Sequence, residues 1–135
     1  MPRFKTDTEV YDYIGGIFET ATADPELGAK LAASGVILKL TYTDPDSVLI
    51  IDMANRTVHT GGEGPTSNVE LVMSSDTANQ FWLGNLNLSL AIAKGKVQTV
   101  GSVTKLLKLV PSAKKLFPVY RDVLERNGRT DLLAA

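Results

Sequence analysis

The side chains that could do chemistry are few. His59 is the single histidine, and the chain has no cysteine. A Ser-His-Asp triad built on His59 would need its serine on a sharp elbow, and no G-x-S-x-G is present. Without cysteine there is no thiolate nucleophile, disulfide framework or zinc ribbon. One histidine leaves few transition-metal ligands, and the acids lack the spacing of a metal-binding loop. Asp44, Asp46 and Asp52 lie close in sequence, but Asp44-Pro45-Asp46 is explained as a turn, where Pro presets φ and Asp bonds its own backbone. Gly61-Gly62-Glu63-Gly64-Pro65 lacks the Lys-Ser/Thr of a phosphate loop, and Pro65 removes a backbone donor, so it reads as a connection. These residues argue against an enzyme with its own active site, and they imply no cofactor and no metal.

Charge and apolarity point elsewhere. From Thr77 to Arg121 there is no acid and there are seven bases: Lys94, Lys96, Lys105, Lys108, Lys114, Lys115 and Arg121. Residues 1–76 carry twelve acids and five bases. A stretch both greasy and positive suits a ligand with an apolar body and an anionic head, such as a fatty acid, an acyl-CoA or a lipid surface. The plainer reading is a core segment whose lysines form a solvated helix face. With a pI near 5.8 the chain is a poor nucleic-acid binder.

The 135 residues are enough for one domain with a real core. The N-terminus lacks the apolar stretch of a secretory signal, and no apolar run approaches the roughly 18–20 residues of a membrane span. The last residues, DLLAA, carry no lipidation or peroxisomal address. A cytoplasmic location is expected.

The elements that must position any site can be read from capping and periodicity. Thr6-Asp7-Thr8-Glu9 reads as a capping box. Val10, Ile14, Ile17, Phe18 and Ala21 follow on one helical face, with Gly15-Gly16 weakening the middle or permitting close packing. Asp24-Pro25 starts a second helix that Gly35 stops. Val36, Leu38, Leu40 and Tyr42 alternate as a half-buried strand. Ser47 to Met53 is a strand apolar on both faces, hence inside the sheet, and Thr57 to Thr60 completes an antiparallel meander. Val69, Leu71 and Met73 make a fourth strand. Ser74 or Ser75 caps a helix to about Leu83, Leu86 to Lys94 is another, and Lys96 to Val100 is the fifth strand. Leu106, Val110, Ala113, Phe117, Tyr120 and Leu124 form a long apolar stripe. Pro111 and Pro118 remove donors for the carbonyls of Leu107 and Lys114, so this last helix should be kinked or broken.

Residues 63–107 carry a resemblance. Gly64-Pro65 precedes a strand, Val69–Met73, that ends in Met73-Ser74. A short helix with Phe81–Leu83 leads to Gly84-Asn85-Leu86-Asn87. Then come a helix ending in Gly95-Lys96, a strand ending in Gly101 and an apolar helical region. This order and spacing resemble the sterol carrier protein 2 family of lipid-binding domains, over roughly residues 5–127, which implies a single domain with that core and residues 128–135 as a tail. The departures are Leu88, where a Pro is common, and the pair Pro111 and Pro118.

The resemblance implies an α+β fold: one five-stranded, mostly antiparallel sheet covered on one face by helices, with an apolar tunnel between them. The tunnel would hold a sterol, fatty acid or acyl-CoA. The candidate ligand contacts are Phe81, Trp82, Leu86, Leu90, Val103, Leu106, Leu107 and Val110. For any single one of them the plainer reading is core. Lys94, Lys96, Lys105 and Lys108 are the candidates for an anionic head. Transient contact with an anionic membrane or an acyl-CoA-using enzyme would fit such a carrier. The alternative is an interaction or oligomerisation module of the same fold with a filled core, since such domains are found appended to enzymes.

Overall fold

The first helical segment begins at its capping residues. In the computed structural model, which describes residues 3–134, the Thr6 hydroxyl accepts from the Glu9 amide at 3.2 Å. Glu9 reaches back one residue beyond the expected box, and its Oε2 accepts from the Lys5 amide at 2.9 Å. Helix α1 (Asp7–Val10) passes through a π-helical turn, Tyr11–Gly15, into α2 (Gly16–Ala23). The widened turn ends at Gly15, where the backbone is least restricted. Gly15 is buried, and a Cβ there would stand 3.5 Å from Leu49 Cδ2, an ordinary contact distance, so the helix lies close against β2. Helix α3 (Pro25–Ser34) starts at Asp24, whose Oδ2 accepts from the Leu27 amide at 2.7 Å. It ends at Gly35 in the left-handed region.

Strands β1 (Ile37–Thr43), β2 (Ser47–Asp52), β3 (Thr57–Thr60), β4 (Val69–Ser74) and β5 (Gln98–Gly101) form one sheet in the order β3-β2-β1-β4-β5. The meander β1-β2-β3 is antiparallel, as is the pair β4-β5, while β1 and β4 run parallel. The sheet is therefore mixed at its centre. The parallel pair follows from the 61–68 connection, which carries the chain from the edge strand β3 to the far side of β1. This connection packs on the sheet. A Cβ on Gly64 would lie 3.1 Å from His59 Cγ and 3.3 Å from Ile50 Cδ1. That cover explains why Ile50 is buried although it points opposite to Leu49 and Ile51.

The alternation sorts the two faces. Leu38, Leu40 and Tyr42 of β1, Leu49 and Ile51 of β2, and Leu71 and Met73 of β4 are buried on one side. On the other, Thr41 Oγ1 donates to Glu70 Oε2 at 2.7 Å. Helices cover the apolar side. Helix α4 (Ser75–Trp82) is capped by Ser74, which accepts from the Thr77 amide, and α5 (Leu88–Ala93) by Asn87, which accepts from the Leu90 amide. The final stripe is divided into α6 (Val103–Leu107), α7 (Val110–Ala113), a 3-10 turn at Lys114–Leu116, and α8 (Phe117–Arg126). Pro111 and Pro118 each occupy the second position of a new helix, where no donor is needed.

Within the stretch expected as a tail, residues 128–134 contribute a short helix, α9 (Thr130–Leu133), to the packed interior. Leu132 is fully buried. Its carbonyl accepts from Asn79 Nδ2 at 3.0 Å, and Asn79 Oδ1 accepts from the Tyr120 hydroxyl at 2.6 Å. Arg129 ties this end to the first helix. It lies 3.3 Å from Glu9 Oε1 and 3.0 Å from Asp131 Oδ2, with its guanidinium 5.2 Å from the Tyr13 ring centroid. Hydrogen bonding to Arg129 holds the Asp131 carboxyl below its ordinary range. Arg129→Ala should lower unfolding free energy by about 1–2 kcal/mol at pH 7 in urea titrations, because solvent screens the exposed Asp131 side of the cluster. A depressed carboxyl pKa stabilises the fold at neutral pH. That contribution is lost as pH falls through the depressed pKa, so the gap between wild type and variant should narrow in acid to what the Tyr13 contact supplies.

Candidate ligand-binding site

Between the helices and the apolar face of the sheet lies a cavity of about 80 Å³. Its floor includes Leu38, Leu40 and Tyr42 of β1 with Leu71 and Met73 of β4. Its roof includes Phe18 of α2, Leu31 of α3, Ala78 of α4, Leu106 of α6 and Ala113 of α7. Every lining residue is apolar or aromatic. A second, outer volume of about 520 Å³ lies beside it, bordered by residues 84–89, Leu107, Pro111, Lys114 and Phe117. Phe81, Leu88 and Val110 line both. Where one tunnel was expected, there are two volumes divided by these three side chains.

The sequence candidates distribute as follows. Phe81, Trp82, Leu106 and Val110 line the inner cavity, and Leu86 and Leu107 line the outer groove. Trp82 is nearly buried among rings. Phe18, Phe81, Phe117 and Tyr120 have centroids 5.4, 5.1, 6.1 and 6.4 Å away. Leu90 and Val103 line neither volume. Leu90 is 51% exposed. Helix α5 buries Leu88 and Ala91, and a residue two positions after Leu88 falls on the opposite side. Val103, at the start of α6, packs half-buried against the core.

Lys94, Lys96, Lys105 and Lys108 are exposed and border neither volume. Among the described residues none of them has a carboxylate within 4.0 Å. Lys114 does border the outer groove. It belongs to the positive stretch but not to the four lysines expected at an anionic head, since spacing along the chain does not say which lysine meets a groove. The strand residues of the floor were also passed over as site residues. Their alternation marked them as buried, but no local pattern says which buried side chain adjoins empty space.

Other candidate chemistry is not assembled. His59 lies on the sheet face away from the cavity, with Nε2 3.1 Å from Thr57 Oγ1. Among the described residues no group of three or more His, Cys, Asp or Glu could hold a metal ion.

No protein-family sequence model matches the chain, and no curated protein sequence does. Solved structures do match. The sterol carrier protein domain 2 of Helicoverpa armigera is 21% identical, with a TM-score of 0.65 over 81% of this chain and 91% of that one. Sterol Carrier Protein-2 from Aedes aegypti, solved in complex with palmitate, is 20% identical, with a TM-score of 0.52 over 79% of this chain and 93% of that one. A stereoselective inverting sec-alkylsulfatase from a Pseudomonas species is 24% identical, with a TM-score of 0.51 over 62% of this chain and 14% of the enzyme. The chain thus has the sterol carrier protein 2 fold.

Proposed function

We propose that this is a non-catalytic lipid-binding protein that holds the apolar part of a sterol, fatty acid or fatty acyl-CoA between its sheet and its helices. The observation that carries this reading is the wholly apolar and aromatic lining of the inner cavity, within a fold shared with a palmitate complex. Burial would drive binding. Each methylene gains about 0.8 kcal/mol, so ten give roughly 8 kcal/mol before the costs of association.

The cavity is small for this task. An apolar cavity of about 150 Å³ takes a benzene ring, and this one has about half that volume. A lipid must therefore displace Phe81, Leu88 and Val110 and join the inner cavity to the outer groove. The roof is suited to such movement, because the prolines divide it into pieces of three to five residues at α6, α7 and the 3-10 turn. Helices this short depend on packing rather than on their own propensity. The unpaired Lys94, Lys96, Lys105 and Lys108, with Lys114 on the groove, would supply attraction for an anionic head or an anionic membrane. The same lysines would favour transient docking on an acyl-CoA-using enzyme. Nucleic acid is not a partner in this reading, and the cytoplasm is the proposed location. Among the described residues no helix is long and apolar enough to cross a membrane.

The small cavity also favours a second reading, a filled-core interaction module, and the likeness to part of an alkylsulfatase supports it. One experiment separates the two. Delipidated protein is titrated with fatty acid, acyl-CoA and sterol while Trp82 emission is followed. A saturable change with one class identifies the ligand. No response, with no lipid in mass spectra of the undelipidated protein, leaves the interaction module.

A further inference from the structure

The inner cavity is lined by apolar and aromatic side chains, and the one hydroxyl among them is on its floor. Tyr42 lies on β1 with 2% of its surface exposed, and it lines the cavity. Its hydroxyl makes no hydrogen bond to any described residue, in contrast to Tyr120, whose hydroxyl donates to Asn79. Yet among the described residues no fully enclosed side-chain oxygen or nitrogen is left without a partner. The Tyr42 oxygen must therefore border open space, and the space its side chain borders is the cavity. The other polar side-chain group on the wall is the Trp82 indole N–H, which also has no hydrogen bond among the described residues and lies in a cluster of four rings.

A buried hydroxyl facing an apolar void is costly unless something pairs with it. We propose that the Tyr42 hydroxyl hydrogen-bonds a neutral oxygen at the inward end of the ligand, so that the site selects an uncharged lipid carrying one terminal hydroxyl or carbonyl. This rests on the lipid-binding reading and adds orientation and ligand class to it. A carboxylate is the wrong partner there. The lining holds no cation to receive it, and burial already pushes the Tyr42 phenol well above its ordinary pKa, the mark of a site hostile to charge. An ionised fatty acid could bind only tail first, leaving Tyr42 unpaired.

The test compares wild type with Tyr42→Phe for two ligands of equal chain length, 1-hexadecanol and palmitate, delivered from cyclodextrin and followed by calorimetry. Tyr42→Phe should weaken hexadecanol about tenfold, the scale of one buried hydrogen bond, and leave palmitate unchanged or tighter. The empty variant should melt no lower than wild type, because the hydroxyl it loses has no partner among the described residues. Equal hexadecanol affinity in both proteins overturns the Tyr42 assignment while leaving lipid binding intact. A melting temperature several degrees lower overturns it too, since the hydroxyl would then be a structural group. Failure of both proteins to bind either ligand overturns the lipid-binding reading and this one with it.

Discussion

Ala113→Leu should abolish lipid binding and leave the protein at least as stable as before. Ala113 is half-buried on α7 and lines the inner cavity opposite the sheet. Three added carbons there enter a space of only about 80 Å³. Filling a cavity commonly stabilises a protein by about 0.5–2 kcal/mol. The same carbons occupy the volume that the innermost part of a ligand must take. Each methylene forced out forfeits about 0.8 kcal/mol, so losing three to five costs roughly 2–4 kcal/mol, a weakening of about 50- to 1000-fold. The two readouts are a lipid titration and a thermal melt. Lost affinity with an equal or higher melting temperature places the ligand in the cavity. Retained affinity with a higher melting temperature means that lipid binds elsewhere, on the outer groove. For the interaction module, only the melt should change.

Which parts of this were legible from sequence follows from how local each determinant is. Helix starts depend on a few adjacent residues, and Thr6, Asp24 and Ser74, readable as caps in the sequence, sit at helix N-termini with their side chains accepting from the backbone; Asn87 does so too, although the expected start at Leu86 placed it inside the helix. The same holds for Pro111 and Pro118, whose missing donors divide the last stripe wherever they fall. Strand alternation in 38–42 and 69–73 likewise gave the buried face correctly. The failures are non-local. Helix α9 has four residues and no periodicity, and it exists because Asn79 and Tyr120, distant in sequence, receive Leu132. The π-helical turn at Tyr11–Gly15 depends on how the helix meets β2. Leu90 was misplaced because a shift of two residues in the start of α5, from Leu86 to Leu88, turns its inward face outward. Tyr42 looked like any strand aromatic. Only the absence of a partner for its hydroxyl among the described residues sets it apart, and that is a property of the assembled interior. Apolar content indicated that a core exists, but the location of a void within it depends on how layers of unequal side chains meet.

Gly101→Ala should be among the most damaging small substitutions in the chain. Gly101 ends β5 with φ at +87°, a conformation L-residues rarely adopt. A Cβ there would drive into the backbone carbonyl of Asn68. Neither group can yield cheaply. Asn68 exchanges backbone and side-chain bonds with β1: its amide donates to Ile37 O at 3.0 Å, and its Oδ1 accepts from the Ile37 amide at 2.9 Å. Its Nδ2 donates to Gly35 O at 2.9 Å, and its carbonyl accepts from the Ser102 amide at 3.2 Å. One residue thus joins the start of β1, the start of β4 and the end of β5. Moving it aside breaks several bonds worth about 1 kcal/mol each, and the left-handed backbone adds about 1–3 kcal/mol for a residue with a Cβ. The expected loss is roughly 4 kcal/mol, a large share of the 5–15 kcal/mol typical of a domain. It should appear as a fall of about 2 M or more in the urea midpoint. Gly16→Ala is the matched control. That glycine lies at φ −60° in helix α2 with nothing within 4 Å of an added Cβ, so alanine should raise stability by up to about 1 kcal/mol. If Gly101→Ala unfolds within 1 kcal/mol of wild type, the Asn68 junction is not what holds β5 to the sheet.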